Sequence, residues 1–270
     1  MRRFRIVDTR VAGDARRVWE MSLVLLAGVA AGVLNAIGGG GTFVALPALV
    51  AFGLPPVAAN AVSRVALVPG AVAGAWVYRH ELVPAGPAST KALTATSMMG
   101  GGVGAALLLV LPASSFDAAV PWLLAFATVI LASGRHLSRA LSSALGRSAG
   151  MSSQAVLIGQ FFLAVYGGYF GGAVGILMLA LWNIGLGLDA AVSNPMRITQ
   201  LAAIYLSATV LFLMASDALS APLLLAVMLV GALAGGFTGA HLARRLPAWL
   251  LRGLLLATAV ITTVLYFLRG

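Results

Sequence analysis

The chain contains no cysteine, which removes disulfides, thiolate metal sites and a cysteine nucleophile together. Charge is also scarce: 9% of residues are charged, against about 25% in an ordinary soluble domain. The acidic residues are Asp8, Asp14, Glu20, Glu81, Asp117, Asp189 and Asp217. None lies deep in an apolar stretch, so no buried carboxylate offers a proton relay. His80, His136 and His241 are scattered, with no His and Glu at zinc-site spacing, so no metal is expected. His241, at a helix end, is the one weak candidate for proton coupling. The run Gly38 to Gly41 is followed by no Lys of the kind a phosphate loop needs, and GxGxxG in a strand-to-helix setting and GxSxG are both missing. These absences argue against an enzyme, and no cofactor is expected.

What is present is apolar. Hydrophobic residues make up 61% of the chain and mean hydropathy is +1.02, more apolar surface than a water-soluble fold could hide. At about 20 residues per span, the 270 residues hold eight to ten membrane segments. The fold class is therefore an all-α integral membrane protein, a polytopic helical bundle. A net charge of +10 would suggest nucleic acid in a soluble chain, but here the basic residues cluster at the ends of apolar runs. They read as topology signals in a lipid bilayer, with no nucleic-acid partner. Lys91 is the single Lys beside sixteen Arg, a bias that suggests a GC-rich bacterial genome. Residues 1–20 form a basic segment carrying six Arg, read as a retained cytoplasmic N-terminus in preference to a signal peptide.

Apolar stretches run approximately over 21–37, 41–53, 57–78, 89–111, 116–133, 152–170, 172–186, 190–215, 219–242 and 248–268. Two of them, 41–53 and 172–186, are too short to span the hydrocarbon and suit broken or re-entrant helices. Both follow Gly-rich breaks. Trp19, Trp76, Trp122, Trp182 and Trp249 fall near predicted helix ends, where an indole can sit at the membrane interface. Gly28 and Gly32, and Gly231, Gly235 and Gly239, recur every four residues and predict close helix packing.

The chain is internally duplicated. GGGGTFVALPALVAFGLPPVAANAVSR, from Gly38 to Arg64, matches GGAVGILMLALWNIGLGLDAAVSNPMR, from Gly171 to Arg197. An offset of 134 pairs Gly41 with Gly175, Gly53 with Gly187 and Asn60 with Asn194, while Arg64 and Arg197 miss that register by one residue. This divides the chain into a first membrane module (21–133), a basic linker (134–151) and a second module (152–270). If each half makes four crossings, the N-terminus, residues 79–91, the linker and Arg269 all face the cytoplasm, leaving Arg244, Arg245 and Arg252 outside, as the positive-inside rule favours. About eight crossings is the preferred arrangement. If every stretch crosses, each half has five and the repeats are inverted, an arrangement common among transporters.

Paired interrupted segments in two halves are the sequence pointer to a transporter binding site. Arg64 and Arg197 are the basic residues that fall within apolar stretches. An Arg at a helix centre costs about 2.5–3.5 kcal/mol on insertion scales, so it faces a cavity or partner, or else snorkels to the interface. Neither has an evident acidic partner, so a bound oxyanion is the expected counter-charge for the guanidinium fork. Gly39, Gly40 and Gly41, and Gly171 and Gly172, let the backbone bend and expose amide N–H groups at half-helix starts, which attract anions; close packing is their other reading. Asn35, Asn60, Asn194 and Gln200 add neutral donors or interhelical hydrogen bonds. Asp189, just before a helix, suits an N-cap.

The stretch GVAAGVLNAIGGGGTFVALPALVAFGLPPVAANAVSR, followed by GAVAGAWVYRHEL, resembles the first module of the sulfite exporter TauE/SafE family. YGGYFGGAVGILMLALWNIGLGLDAAVSNPMR resembles its second module. The resemblance implies a bacterial inner-membrane permease for small sulfur-containing anions such as sulfite, sulfoacetate or other organosulfonates. Arg197, in its Asn-Pro-x-Arg turn, is the firmer candidate ligand of the two Arg residues. A secondary exporter is the leading function class; an anion channel and an uptake permease are the alternatives, and the residues leave the oligomeric state open.

Overall fold

A computed structural model of the chain describes the backbone of residues 2–82, 89–144, 151–188, 192–216, 219–245 and 247–269, and the side chains of most of these from residue 17 onward. Among the described residues ten helices form: α1 (Arg2–Gly38), α2 (Thr42–Ala51), α3 (Pro56–Val77), α4 (Thr90–Val110), α5 (Ala113–Ala144), α6 (Ser153–Tyr169), α7 (Val174–Leu186), α8 (Asn194–Ala215), α9 (Pro222–Arg245) and α10 (Ala248–Arg269). Each apolar stretch becomes one helix, because a chain in lipid must satisfy its backbone polar groups internally. Among the described residues, six helical segments are long and apolar enough to cross a membrane. α2 has 10 residues and rises only about 15 Å, half of a hydrocarbon core. α7, with 13 residues, is nearly as short.

The outer surface is apolar, with Val110, Phe162, Met214 and Leu268 directed outward, as a lipid solvent requires. Trp19, Trp76, Trp122 and Trp249 are exposed, in keeping with interfacial anchors. Trp182 departs from that expectation: it is fully buried. It lies on α7, which packs among α5, α6 and α8, and so faces protein on the side an interfacial indole would need for headgroups.

Glycines set the closest helix contacts. On α1 and α9, Cβ atoms at Gly28, Gly32, Gly231, Gly235 and Gly239 would all strike the facing backbone, so these residues let the two helices touch along their length. α4 and α6 repeat the device through Gly100, Gly104 and Gly168.

These contacts also give helix directions. Leu25, Val29 and Val33 lie beside Gly231, Gly235 and Gly239 in ascending order, so α1 and α9 run the same way. Gly100 meets Phe161 and Ala164 while Gly104 meets Val165 and Tyr169, so α4 runs with α6; Ser97 meets Gln200 and Gly101 meets Ile204, so α4 also runs with α8. α3 opposes α8, since Arg64 lies over Tyr205 and Gly74 against Ile198. α1 opposes α8 likewise, through Asn35 to Tyr205 and Ile37 to Arg197. Hence α1 and α6 are antiparallel, and the two halves, α1–α5 and α6–α10, are inverted repeats.

This corrects the placement of the N-terminus, residues 79–91, the linker and Arg269 at one end of the bundle. α1 and α3 run in the same direction, so the N-terminal segment and residue 79 lie at opposite ends. The cause is Gly39, whose φ of 75° turns the chain back inside the bundle. α2 then reverses direction without the length of a full crossing, and the parity of each half becomes odd. Among the described residues, eight helices of 17 residues or more and two of 10 and 13 thus coexist with inverted repeats. Part of the 134–151 linker is helical, because α5 continues to Ala144.

Candidate functional site

The two breaks meet inside the bundle. Gly39 and Gly171 hold equivalent left-handed conformations, φ 75° and 82°, which non-Gly residues adopt only at a cost. A Cβ on Gly39 would stand 3.7 Å from the amide nitrogen of Gly175, and one on Gly172 would stand 3.4 Å from the Phe43 ring. The starts of α2 and α7 therefore converge near the middle of the structure. The aligned peptide dipoles give each helix a positive N-terminal end, so both present one there.

Each intramembrane Arg reaches from one half to the broken helix of the other. Arg64 is fully buried and donates through Nη1 to the carbonyl of Gly167 at 2.7 Å and through Nη2 to that of Phe170. Asn60, one turn earlier, donates through Nδ2 to the Tyr169 carbonyl at 2.8 Å. Three donors on α3 thus cap the carbonyl end of α6, where the helix dipole also favours a cation. The guanidinium stacks over the Tyr205 ring at 4.9 Å. A Cβ at Gly171 would fall on that guanidinium, so Gly171 is required by space as well as by φ.

Arg197 is 2% exposed. Its Nε and Nη2 donate to Asn194 Oδ1 at 2.9 and 2.8 Å, and Nη2 makes a long 3.5 Å contact with the Ile37 carbonyl near the end of α1. Its Nη1 has no hydrogen-bond partner. A Cβ on Gly175 would lie 3.2 Å from that nitrogen, which places Nη1 at the start of α7. Neither Arg snorkels; both are inside the protein.

A cavity of about 540 Å³ runs between α1, α3, α8 and α9, and its walls include Asn35, Leu67, Tyr78, Asn194, Leu201 and Phe237. Asn194 therefore touches the cavity on one side and Arg197 on the other, and Ile37 and Leu201 complete the wall in front of the Gly39 break. The cavity occupies the end of the bundle where α3 finishes and α8 begins.

The sequence-predicted residues thus separate into groups. Asn35 and Asn194 line the cavity, with Arg197 bonded to Asn194 and Gly39 packed behind Leu201. Arg64, Asn60 and Gly171 form the α6 cap. Gly41 packs on Ala31 and Leu67, and Gly40 faces Leu255. The Gly172 carbonyl accepts from Tyr166 Oη at 2.8 Å. Gln200 stands in another cluster, accepting from Ser97 through Oε1 at 2.9 Å and donating to Thr94 at 3.1 Å. Asp189 lies outside the described residues. Three polar residues were not foreseen: Tyr205, whose Oη donates to Asn35 Oδ1 at 3.2 Å, and Ser97 and Gln160, both fully buried. A tyrosine in the middle of the 190–215 apolar run was the available signal for the first of these. His241 is exposed, with Nδ1 3.0 Å from the Phe237 carbonyl.

Inverted halves with paired helix breaks recur among membrane transporters. The family model described as sulfite exporter TauE/SafE matches residues 24–266. The chain belongs to the sulfite exporter TauE/SafE family. TauE/SafE proteins are membrane transporters, and the match takes in both breaks, both Arg residues and the whole cavity wall. No curated protein and no solved structure matches the chain.

Proposed function

We propose that this protein is a secondary carrier that exports a small sulfur-containing oxyanion, sulfite or an organosulfonate, by binding it at Arg197. The observation that carries the reading is the free Nη1 of a buried Arg197 at the N-terminal end of α7. An unpaired cationic donor beside the positive end of a helix is a site for an anion in a low-dielectric interior. Asn194 holds the guanidinium without neutralising it, since an amide oxygen accepts hydrogen bonds but brings no negative charge. Arg64 has both terminal nitrogens on carbonyls, so it adds positive field and positions the α6 break. Asn35 and Asn194 form the polar inner end of the route from the cavity.

A carrier is favoured over a channel because inverted halves with paired helix breaks are the architecture of alternating-access carriers, and the cavity between α1, α3, α8 and α9 lies toward the end where α3 finishes and α8 begins. The test is counterflow of labelled sulfite and a labelled organosulfonate in proteoliposomes. Arg197→Gln removes one charge-assisted contact and lowers transport by about 10- to 100-fold, while the variant stays folded in the membrane. Wild-type counterflow by Arg197→Gln would remove Arg197 from the site.

A further inference from the structure

Inverted repeats make a specific comparison available. Gly100 and Gly104 of α4 pack on α6 as Gly235 and Gly239 of α9 pack on α1, so Gly101 and Gly236 occupy matching places in the two halves. Their surroundings differ. A Cβ on Gly101 would lie 2.6 Å from Ser207 Oγ and 2.9 Å from the Ile204 backbone, a contact without free space. One on Gly236 would meet nothing nearer than the Gly70 Cα at 3.8 Å, because the cavity lies there. The seam between α9 and α3 is open, and its counterpart between α4 and α8 is shut.

The shut seam carries a buried polar cluster at its inner end. Ser97 Oγ donates to Gln200 Oε1 at 2.9 Å and accepts from Gln160 Nε2 at 2.8 Å, while Gln200 Nε2 donates to Thr94 Oγ1 at 3.1 Å. Ser97, Gln160 and Gln200 are all fully buried, and Gln160 Oε1 is left without a partner. Four polar side chains from three helices, one with an unsatisfied acceptor, are a costly way to pack an apolar seam. At the matching places of the open half stand the apolar residues Leu67 and Ala232, which line the cavity. Hydrogen bonds between side chains can be exchanged for hydrogen bonds to water or to a passing oxyanion, whereas interlocked apolar side chains cannot be exchanged this way.

We infer that Thr94, Ser97, Gln160 and Gln200 latch a second vestibule, hidden between α4 and α8, through which the anion reaches Arg197 from the opposite end of the bundle. It opens as the α3–α9 cavity closes, so that Gly101 and Gly236 exchange environments, and the amides and hydroxyls freed by opening line the path of the oxyanion. The inference rests on the carrier reading above.

The cysteine-free chain makes the test direct. Gly102 lies beside Leu211 low in the shut seam, a Gly102 Cβ standing 3.9 Å from Leu211 Cδ1. A short thiol cross-linker across Gly102→Cys and Leu211→Cys stops counterflow of labelled sulfite by at least tenfold, and reductant restores it. Transport at an unchanged rate through fully cross-linked protein would overturn the latch. A second measurement needs no substrate: thiol labelling of Ser207→Cys, in the shut seam, and Ala71→Cys, in the open cavity. Adding Ser97→Ala and Gln160→Leu speeds labelling at Ser207→Cys severalfold and slows it at Ala71→Cys. Unchanged labelling at both, or a rise at both, would show a structural cluster and overturn the proposal. Opposed labelling changes in a protein that moves no sulfite would uphold the latch and defeat the sulfite reading alone.

Discussion

Arg64 and Arg197 stand at near-equivalent places in the two halves, one residue out of register, and each keeps one buried nitrogen unpaired, Nε in Arg64 and the terminal Nη1 in Arg197. Arg64 has both terminal nitrogens on the carbonyl end of α6 and its face on Tyr205. Arg197 is held from one side by Asn194 and leaves Nη1 unpaired beside α7. The same buried cation is thus a structural cap in one half and an open donor in the other. The two halves each hold a costly residue; the number of carbonyls within reach of its terminal nitrogens decides which of the two keeps one unpaired.

The largest effect should come from Gly171→Ala, which places a methyl group on the Arg64 guanidinium and strains a left-handed residue. Loss of folded, monodisperse protein on extraction is expected, with a destabilisation of about 4 kcal/mol or more. Folded protein with normal melting would mean that the α6 cap is dispensable. Arg64→Gln follows, costing about 3 kcal/mol or more because it strips two charged hydrogen bonds from buried carbonyls. Its melting temperature should fall further than that of Arg197→Gln. The reverse order would erase the division of roles between the two residues.

Asn194→Asp tests the other side of the comparison. It keeps the geometry but gives Arg197 a carboxylate, so the open donor acquires a counter-charge. Sulfite counterflow should drop about tenfold, the equivalent of about 1.4 kcal/mol in anion binding, without a loss of thermal stability. The smallest effect belongs to Gly53→Ala and Gly187→Ala. Both residues have positive φ, 94° and 66°, but no atom lies near a Cβ at either. Each should cost only about 1–2 kcal/mol of backbone strain, equally in the two halves and with counterflow unchanged.

Most of the architecture was legible from composition and periodicity. Each of the ten apolar stretches became a helix among the described residues, both short ones followed Gly-rich breaks, and Gly28, Gly32, Gly231, Gly235 and Gly239 proved to be contact glycines. The direction of the repeats was not legible in the same way. Hydropathy measures how long a segment is, and a 10-residue helix that reverses the chain inside the bundle looks like part of its neighbour. Trp182 was misplaced because nearness to a helix end does not fix which way a side chain points: it lies on the face of α7 packed among α5, α6 and α8.

The sequence by itself determined that this chain lives in a membrane, that it is a doubled unit, and that each half carries a glycine break and a cation the bilayer cannot solvate. Those properties follow from residue types and local spacing. Tertiary structure alone decided that the halves are inverted, that Arg64 reaches carbonyls while Arg197 keeps a free nitrogen, and that Gln200 belongs to the seam with Ser97 and Gln160. Each of these depends on contacts between residues a hundred or more positions apart, or on three helices meeting at one point. Such contacts are set by packing, and no local pattern encodes them.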